Sequence, residues 1–200
     1  MNKQVSISKG NSKMGGVPSV SLPACTTCNP NAPCFKKCYA RKLETFRPSV
    51  KEAYSRNFEM LIADRTTYWL QVRAAASMSR FFRFHVSGDI PDAIYLYDMV
   101  LTAKLLPHTT FLTFTKQYDI VNEYISNGGT LPENLKIIFS NWGEWKCKNP
   151  HGLPVAEVIF KGSEPRDSWK ICGGNCTECA CRGVGCWELK QGETIAFYEH

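Results

Sequence analysis

The stretch FFRFHVSGDIPDAIYLYDMVLTAKLLPHTTFLTFT, residues 81–115, decides the fold class. Its two ends, Phe81–Ser87 and Thr109–Thr115, are rich in aromatic and β-branched residues and predict strands. Between them, Gly88–Pro91 predicts a turn and Asp92–Leu106 predicts a helix. A strand, a helix and a second strand at this spacing are typical of a parallel βαβ unit. The sequence therefore predicts an α/β fold with parallel strands.

The same alternation extends in both directions from this unit. On the amino-terminal side, one predicted helix begins at Pro48 and a second follows Asp64, whose side chain suits a helix cap. Residues 1–24 are polar and rich in Gly and Ser, so they predict an extended arm or loop. Four elements are predicted on the carboxyl-terminal side: the helix Tyr118–Ser126 and the strands Leu135–Ser140, Val155–Phe160 and Thr194–Tyr198.

Length and composition limit the class of protein. The 200 residues, of which 44% are apolar and 21% charged, suit a single domain with a packed core. We divide it into an arm with a first cysteine loop (1–47), a core of helices and βαβ units (48–160) and a cysteine-rich segment (161–200). No membrane-spanning run or secretory signal is visible, so we expect a cytoplasmic protein without a membrane partner. The net charge of +6 permits a small anionic substrate or a nucleic acid as partner.

Ten cysteines are the unusual feature of the composition. The first cysteine segment, residues 25–38, holds Cys25, Cys28, Cys34 and Cys38. The second cysteine segment, residues 172–186, holds Cys172, Cys176, Cys179, Cys181 and Cys186. In a reducing compartment such groups bind metal more often than they form disulfides. We therefore predict that both segments are metal-binding loops, while Cys147 stands alone.

The spacing of these thiolates favours iron–sulfur ligation. Thiolates select zinc, copper(I) or iron–sulfur clusters, and neither segment shows the two C-x2-C pairs that are typical of structural zinc. We predict a cluster of the 4Fe–4S type, with zinc as the alternative cofactor. One cluster in each segment and a single shared cluster are both consistent with the sequence. A disulfide-bearing structural protein is a third, weaker interpretation.

Polar residues follow three successive predicted strands. Because the carboxyl ends of parallel strands meet at one edge of a sheet, where α/β proteins bind ligands, we predict that these side chains bind a cofactor. Asp89 has an equally good alternative role as the cap of the next helix. The predicted cofactor-binding residues are Ser87, Asp89, Thr115, Lys116, Ser140 and Asn141.

A basic stretch accompanies the first cysteine segment. The plainer interpretation is a solvated face, and the functional one is attraction of a polynucleotide. The second interpretation belongs to our alternative function, a zinc-stapled, non-enzymatic module that binds nucleic acid or protein. The stretch consists of Lys36, Lys37, Arg41, Lys42, Arg47, Lys51 and Arg56.

Three stretches carry a resemblance to a known family. They are KGNSKMGGVPSVSLPACTTC (residues 9–28), CFKKCYARKLETF (34–46) and CGGNCTECACRGVGCW (172–187). Together they resemble a small phage-encoded family, gene product eighty-eight, whose members lack an assigned function. The resemblance covers most of the chain and implies a protein that acts in the cytoplasm of a host cell.

A more distant resemblance is to radical S-adenosylmethionine phage proteins. It rests on Cys38-Tyr39-Ala40, on Asp89 with Pro91, on the strand that runs from His108 to Lys116, and on Pro132 with Asn134. The spacing Cys172-x3-Cys176-x2-Cys179 separately matches the three-cysteine pattern of a radical S-adenosylmethionine cluster, and we interpret it as a set of cluster ligands. The resemblance implies a partial or open (β/α) barrel and S-adenosylmethionine as a second cofactor. Together with the cysteines, it leads us to predict an iron–sulfur protein that is a radical-S-adenosylmethionine-like or sulfur-handling enzyme.

Overall fold

The computed structural model describes residues 4–199. Within that range one sheet contains eight strands, and six α-helices accompany it. The strands are β1 (Ile7–Ser8), β2 (Ser19–Val20), β3 (Phe81–Phe84), β4 (Thr110–Thr115), β5 (Leu135–Ser140), β6 (Val155–Ile159), β7 (Lys170–Ile171) and β8 (Thr194–Tyr198). The helices are α1 (Tyr39–Phe46), α2 (Pro48–Ala63), α3 (Arg65–Ser77), α4 (Ala93–Leu105), α5 (Tyr118–Ser126) and α6 (Cys176–Arg182).

The strand order confirms the α/β class and the parallel strands. The sheet runs β1-β2-β3-β4-β5-β6-β8-β7, and every neighbouring pair is parallel except β1 with β2. Strands β2 to β6 are adjacent in chain order, which is the winding of a (β/α) barrel. The closure and curvature of a barrel stay a prediction. No helix within the described range is long and apolar enough to cross a membrane.

Helices α2 to α5 cover one face of the sheet. Phe84 of β3 and Phe111 of β4 point to that face, and their rings stack with centroids 5.4 Å apart. Trp69 of α3 and Tyr95 of α4 lie over them, with ring centroids 4.8 Å apart. These large apolar side chains are almost fully buried, so this layer is the main source of hydrophobic stabilisation.

The second cysteine segment and part of the N-terminal arm cover the opposite face. Leu112 of β4 and Ile138 of β5 point to that side, one residue out of phase with the helix-facing side chains. They belong to a buried cluster that includes Met14 from the arm and Trp187 from the tail. The sheet therefore separates an ordinary α/β core from a layer that contains half of the cysteine-rich sequence.

The sequence predicted an extended arm or loop for residues 1–24, but part of this stretch forms two short strands. Residues 1–3 lie outside the described residues, but β1 and β2 form within the rest, and β2 pairs in parallel with β3. Ser19 and Val20 are both buried. Two residues are too short a run to show strand periodicity, which explains why the sequence pattern missed this strand.

Both cysteine segments contain more regular structure than predicted. A 3₁₀ turn (Pro33–Phe35) lies inside the first segment and α1 begins directly after Cys38. Helix α6 occupies the middle of the second segment, capped by Asn175, which accepts a hydrogen bond from the Glu178 amide at 3.2 Å. Proline and glycine punctuation marks turns correctly, but it does not exclude a short helix between them.

Candidate functional site

Both cysteine segments line one cavity of about 410 Å³. This volume is within the range of small-molecule sites. The cavity also borders the carboxyl ends of β3, β4 and β5. From the first segment come Cys25, Cys28, Cys34 and Cys38. From the second come Cys172, Cys176, Cys179 and Cys186.

The first cysteine segment is fastened to the ends of β3 and β4. Thr27 accepts a hydrogen bond from the Asp89 amide at 2.9 Å, and its carbonyl accepts one from the Gln117 side chain at 2.9 Å. The Asn29 side chain donates to the Lys116 carbonyl at 3.4 Å. Cys25 has a φ of 64°, a left-handed conformation that is uncommon for any residue but glycine. The loop is thus held by polar contacts in a strained shape.

The four thiols of this segment lie close enough to influence one another. Burial, followed by the neighbouring Cys38, raises the pKa of Cys25 to about 11. Burial, followed by the carboxylate of Asp89, raises the pKa of Cys28 to about 12. Burial also raises the pKa of Cys34, against the opposing charge of Lys116. Such thiols are protonated at neutral pH, and a metal that bound them would release those protons.

The second cysteine segment is fastened to the N-terminal arm and to the apolar layer. The Cys176 amide donates to the Lys13 carbonyl at 3.0 Å, and the Trp187 indole donates to the Cys176 carbonyl at 3.1 Å. Burial, followed by Cys172 and Cys176, raises the pKa of Cys186 to about 12. The thiols of this segment therefore lie together in an apolar setting.

The charge of Arg83 acts on two thiols of this second group, those of Cys176 and Cys186. Its guanidinium donates to the sulfur of Met14 at 3.1 Å and lies 5.0 Å from the centre of the Phe114 ring. Burial raises the pKa of Cys176, while the charge of Arg83 and a hydrogen bond from it lower that pKa. The Nε of Arg83 is buried and has no partner among the described residues. A cation held in this way is suited to an anionic group in the cavity.

Asp89 is a fixed, buried carboxylate at the edge of the cavity. Its Oδ1 accepts hydrogen bonds from the Thr115 hydroxyl at 2.6 Å and from the Ile90 amide at 2.8 Å. Its Oδ2 accepts one from the Lys116 amide at 2.8 Å. Burial raises the pKa of this carboxyl, and the same hydrogen bonds oppose the rise. The helix cap is Asp92 instead, whose carboxylate accepts from the Tyr95 amide at 2.7 Å.

Four further predicted residues fall into two groups. Lys116 and Ser140 line the cavity together, and the ammonium of Lys116 donates to the Ser140 hydroxyl at 2.6 Å. Ser87 also lines it and donates to Glu44 at 3.0 Å. Asn141 is buried outside the cavity lining, where its amide donates to Glu157 at 2.8 Å. Five of the six predicted cofactor-binding residues therefore line the cavity, and Asn141 does not.

Two cysteines lie apart from the cavity. Cys181 is exposed on α6 and does not contribute to the lining, unlike the other four cysteines of its segment. Cys147 packs against the α/β core, and its amide donates to Asn141 at 2.7 Å. All ten cysteines are free thiols. Among residues 4–199, no three His, Cys, Asp or Glu side chains are placed to hold a single metal ion.

Strand β3 ends at Phe84, three residues earlier than the sequence predicted, and His85 follows it directly. Its φ of 59° turns the buried ring toward the helix layer, where Nε2 lies 3.1 Å from the Tyr95 hydroxyl. That hydroxyl lies 3.2 Å from the hydroxyl of Tyr68. Burial, followed by the charge of Arg83, lowers the pKa of His85 to about 3, so the ring is neutral. A reversal of this kind leaves no trace in strand periodicity.

Sequence reasoning missed Arg83 and Glu44 as site residues. Arg83 had a visible signal, since it is the one charged residue inside the aromatic strand FFRF. Glu44 had none, because an acidic residue in a basic helix is ordinary. Its carboxylate is nevertheless buried, and it accepts hydrogen bonds from the Ala24 amide at 2.8 Å and from the Ser87 hydroxyl.

Comparisons with known proteins place the chain in a family. No curated protein and no solved structure matches it, so the resemblance to radical S-adenosylmethionine proteins finds no support there. The model of one family, described as Gene product 88, matches residues 2–188. That match spans nearly the whole sequence and includes both cysteine segments. The chain therefore belongs to the Gene product 88 family.

Proposed function

We propose that the protein is an iron–sulfur protein whose two cysteine segments bind clusters beside one ligand cavity. The observation that carries the proposal is the convergence of eight cysteines, from opposite ends of the chain, on that cavity. Cysteine thiolates are the usual ligands of such clusters, four to a cluster. With Cys181 facing solvent, four cavity-lining thiols remain in each segment.

The surroundings of the first segment support a role in substrate binding. Asp89, Lys116 and Ser140 lie at the same end of the cavity, next to the thiols of Cys28 and Cys34. A carboxylate, an ammonium and a hydroxyl in fixed positions can orient a small ligand that carries its own charges. We propose that this end binds a small anionic substrate through Lys116, and that an iron of the first cluster lies next to it. S-adenosylmethionine is one candidate for a second ligand that this end of the cavity binds beside the substrate.

The decisive experiment is anaerobic purification followed by iron, sulfide and zinc analysis. We expect a brown protein with close to eight iron atoms per chain if each segment holds a 4Fe–4S cluster. Cys28→Ser with Cys34→Ser should remove half of the iron, and Cys172→Ser with Cys176→Ser the other half. Cys181→Ser is the matched control and should retain all of it.

Mössbauer spectra of iron-57-labelled protein would then distinguish the cluster types. One iron with its own spectrum, altered by S-adenosylmethionine or by an anionic ligand, would support a substrate-binding cluster. A colourless protein with stoichiometric zinc would contradict the iron–sulfur proposal and favour the zinc-stapled module. Four iron atoms that are lost in both double variants would indicate a single shared cluster instead of two.

A further inference from the structure

Every exposed charged residue between positions 36 and 47 is basic. There are five such cations: Lys36, Lys37, Arg41, Lys42 and Arg47, all exposed. None of them makes an ion pair with any residue in the 4–199 range. Glu44 is the one acidic residue between positions 36 and 51, but it is 9% exposed and turned toward Ala24 and Ser87. The positive charge of this surface is therefore uncompensated.

Exposed apolar side chains of α1 lie in the same stretch of chain as these cations. Tyr39, Leu43 and Phe46 recur at positions i, i+4 and i+7 and so share one face of α1. Tyr39 is 60% exposed and Phe46 is 81% exposed. The ring of Tyr39 is held in place because its hydroxyl donates to the Val86 carbonyl at 2.8 Å. A large aromatic side chain left in water beside several cations needs an explanation.

We propose that this surface, residues 36–47, binds single-stranded nucleic acid. Lysine and arginine neutralise phosphates, and exposed aromatic rings stack with bases, which is how proteins hold single strands without reading their sequence. Cations and two exposed rings occur together here within twelve residues. The partner is thus recognised by its charge and its flat bases.

The position of the surface favours a nucleic acid over an anionic membrane. Tyr39 and Lys37 also line the cavity, so a strand lying along α1 would pass the cavity mouth. The cavity volume of about 410 Å³ is large enough for a small ligand such as a nucleoside. A membrane would use the same cations, but it would leave the link between α1 and the cavity unused. Cys38, a proposed cluster ligand, lies within this stretch, but the inference uses only the cations and the exposed rings and does not require a cluster.

The test is binding of a fluorescein-labelled thymidine 20-mer, measured by anisotropy on the purified full chain at several salt concentrations. Arg41→Glu with Lys42→Glu should weaken binding at least about tenfold and flatten the slope of log affinity against log salt by about 1.4. Phe46→Ala should weaken binding about tenfold without changing that slope, because it removes stacking and no charge.

The matched control is Arg80→Glu with Lys104→Glu, which changes the net charge equally at the opposite end of the strands. It should change the affinity less than about twofold. Equal losses in both charge variants, or no binding of the wild type at low salt, would overturn the proposal. So would sedimentation with phosphatidylserine vesicles in place of oligonucleotide binding. Iron content, measured in every variant, separates a loss of this surface from a loss of the clusters.

Discussion

The two cysteine segments contribute equal numbers of thiols to the cavity but lie in different surroundings. The first is held by polar groups: Thr27 and Asn29 bond to the loops after β3 and β4, and Asp89 lies beside its thiols. The second is packed into the apolar layer with Trp187, and Cys186 is itself part of that layer. The thiols of the first segment are therefore surrounded mainly by polar groups, and those of the second mainly by the hydrophobic layer.

If both segments bind metal as proposed, this difference predicts two roles for them. Thiols inside an apolar layer are brought together only when that layer is folded, so a metal bound there would contribute to folding. Thiols held by a polar loop can exchange a ligand without disturbing the core.

Replacing thiols of the second segment should have the largest effect on stability. Cys176→Ser with Cys186→Ser places one hydroxyl inside a buried apolar layer and one at its partly buried edge, at about 1–3 kcal/mol for a buried hydroxyl that is unsatisfied, and also removes proposed metal ligands. We expect loss of the cooperative thermal transition, measured by circular dichroism. Cys25→Ser with Cys34→Ser should lower Tm by only a few degrees. Equal losses would show that the two segments do not differ in this way.

The attachment of the first segment should be sensitive to a single methyl group. Gly88 has a φ of +78°, and a Cβ there would lie 2.8 Å from the Cβ of Leu22 and 2.9 Å from its carbonyl oxygen. Gly88→Ala should cost about 3 kcal/mol from the left-handed conformation and the overlap together. Gly128→Ala is the control, since its φ is +85° but no atom lies within 4 Å of the added Cβ. It should cost about 1 kcal/mol in denaturant unfolding, and similar values for both would argue against close packing at Gly88.

The neutral ring of His85, at the end of β3, predicts a pH-dependent stability. Its pKa is about 3 in the folded protein against 6.5 ordinarily, so only the unfolded chain takes up a proton between these values. Stability should therefore fall as the pH falls below about 6.5, by up to about 1.4 kcal/mol per pH unit. His85→Asn, which tolerates the left-handed conformation, should lack this slope.

Metal-free wild type and His85→Asn should be compared by urea unfolding from pH 7.0 to 5.5. Other groups contribute to both proteins, including Asp89, whose raised pKa acts in the opposite direction, and they cancel in the difference. Parallel stability curves for the two proteins would show that His85 takes up a proton as readily in the folded state as in the unfolded state, and so that its pKa is not lowered.

The elements that the sequence predicted well are those whose signals are local and repeated. The cap of α3 by Asp64, which accepts from the Thr67 amide at 3.0 Å, needed only a hydrogen-bonding side chain before an apolar periodic run. Strands β4 and β5 are long and apolar enough to be predicted from their sequence pattern, and β5 has the predicted bounds. Their polar ends met, as the rule for parallel sheets requires.

What the sequence missed or left open has a common physical origin in contacts between distant parts of the chain. Strand β2 exists because Ser19 and Val20 find β3 as a partner, which no pattern in two residues can reveal. Exclusion of Cys181 from the cavity depends on which face of α6 is buried. The choice of Asp92 over Asp89 as the cap depends on the hydrogen bonds that Thr115 and Lys116 give to Asp89. Sequence patterns list candidates, and tertiary contacts choose among them.

The changes that we expect in reduction potential are small, but they compare the two cysteine segments directly. Arg83 lies by the thiols of the second segment, and Lys116 by Cys34 of the first. Removing a nearby cation disfavours the extra electron of a reduced cluster, so each loss should lower one potential by on the order of tens of millivolts. Arg83→Gln should shift only the cluster of the second segment and Lys116→Gln only that of the first, measured by redox titration followed by electron paramagnetic resonance. A single potential that shifts in both variants would show that the two segments share one cluster rather than hold two.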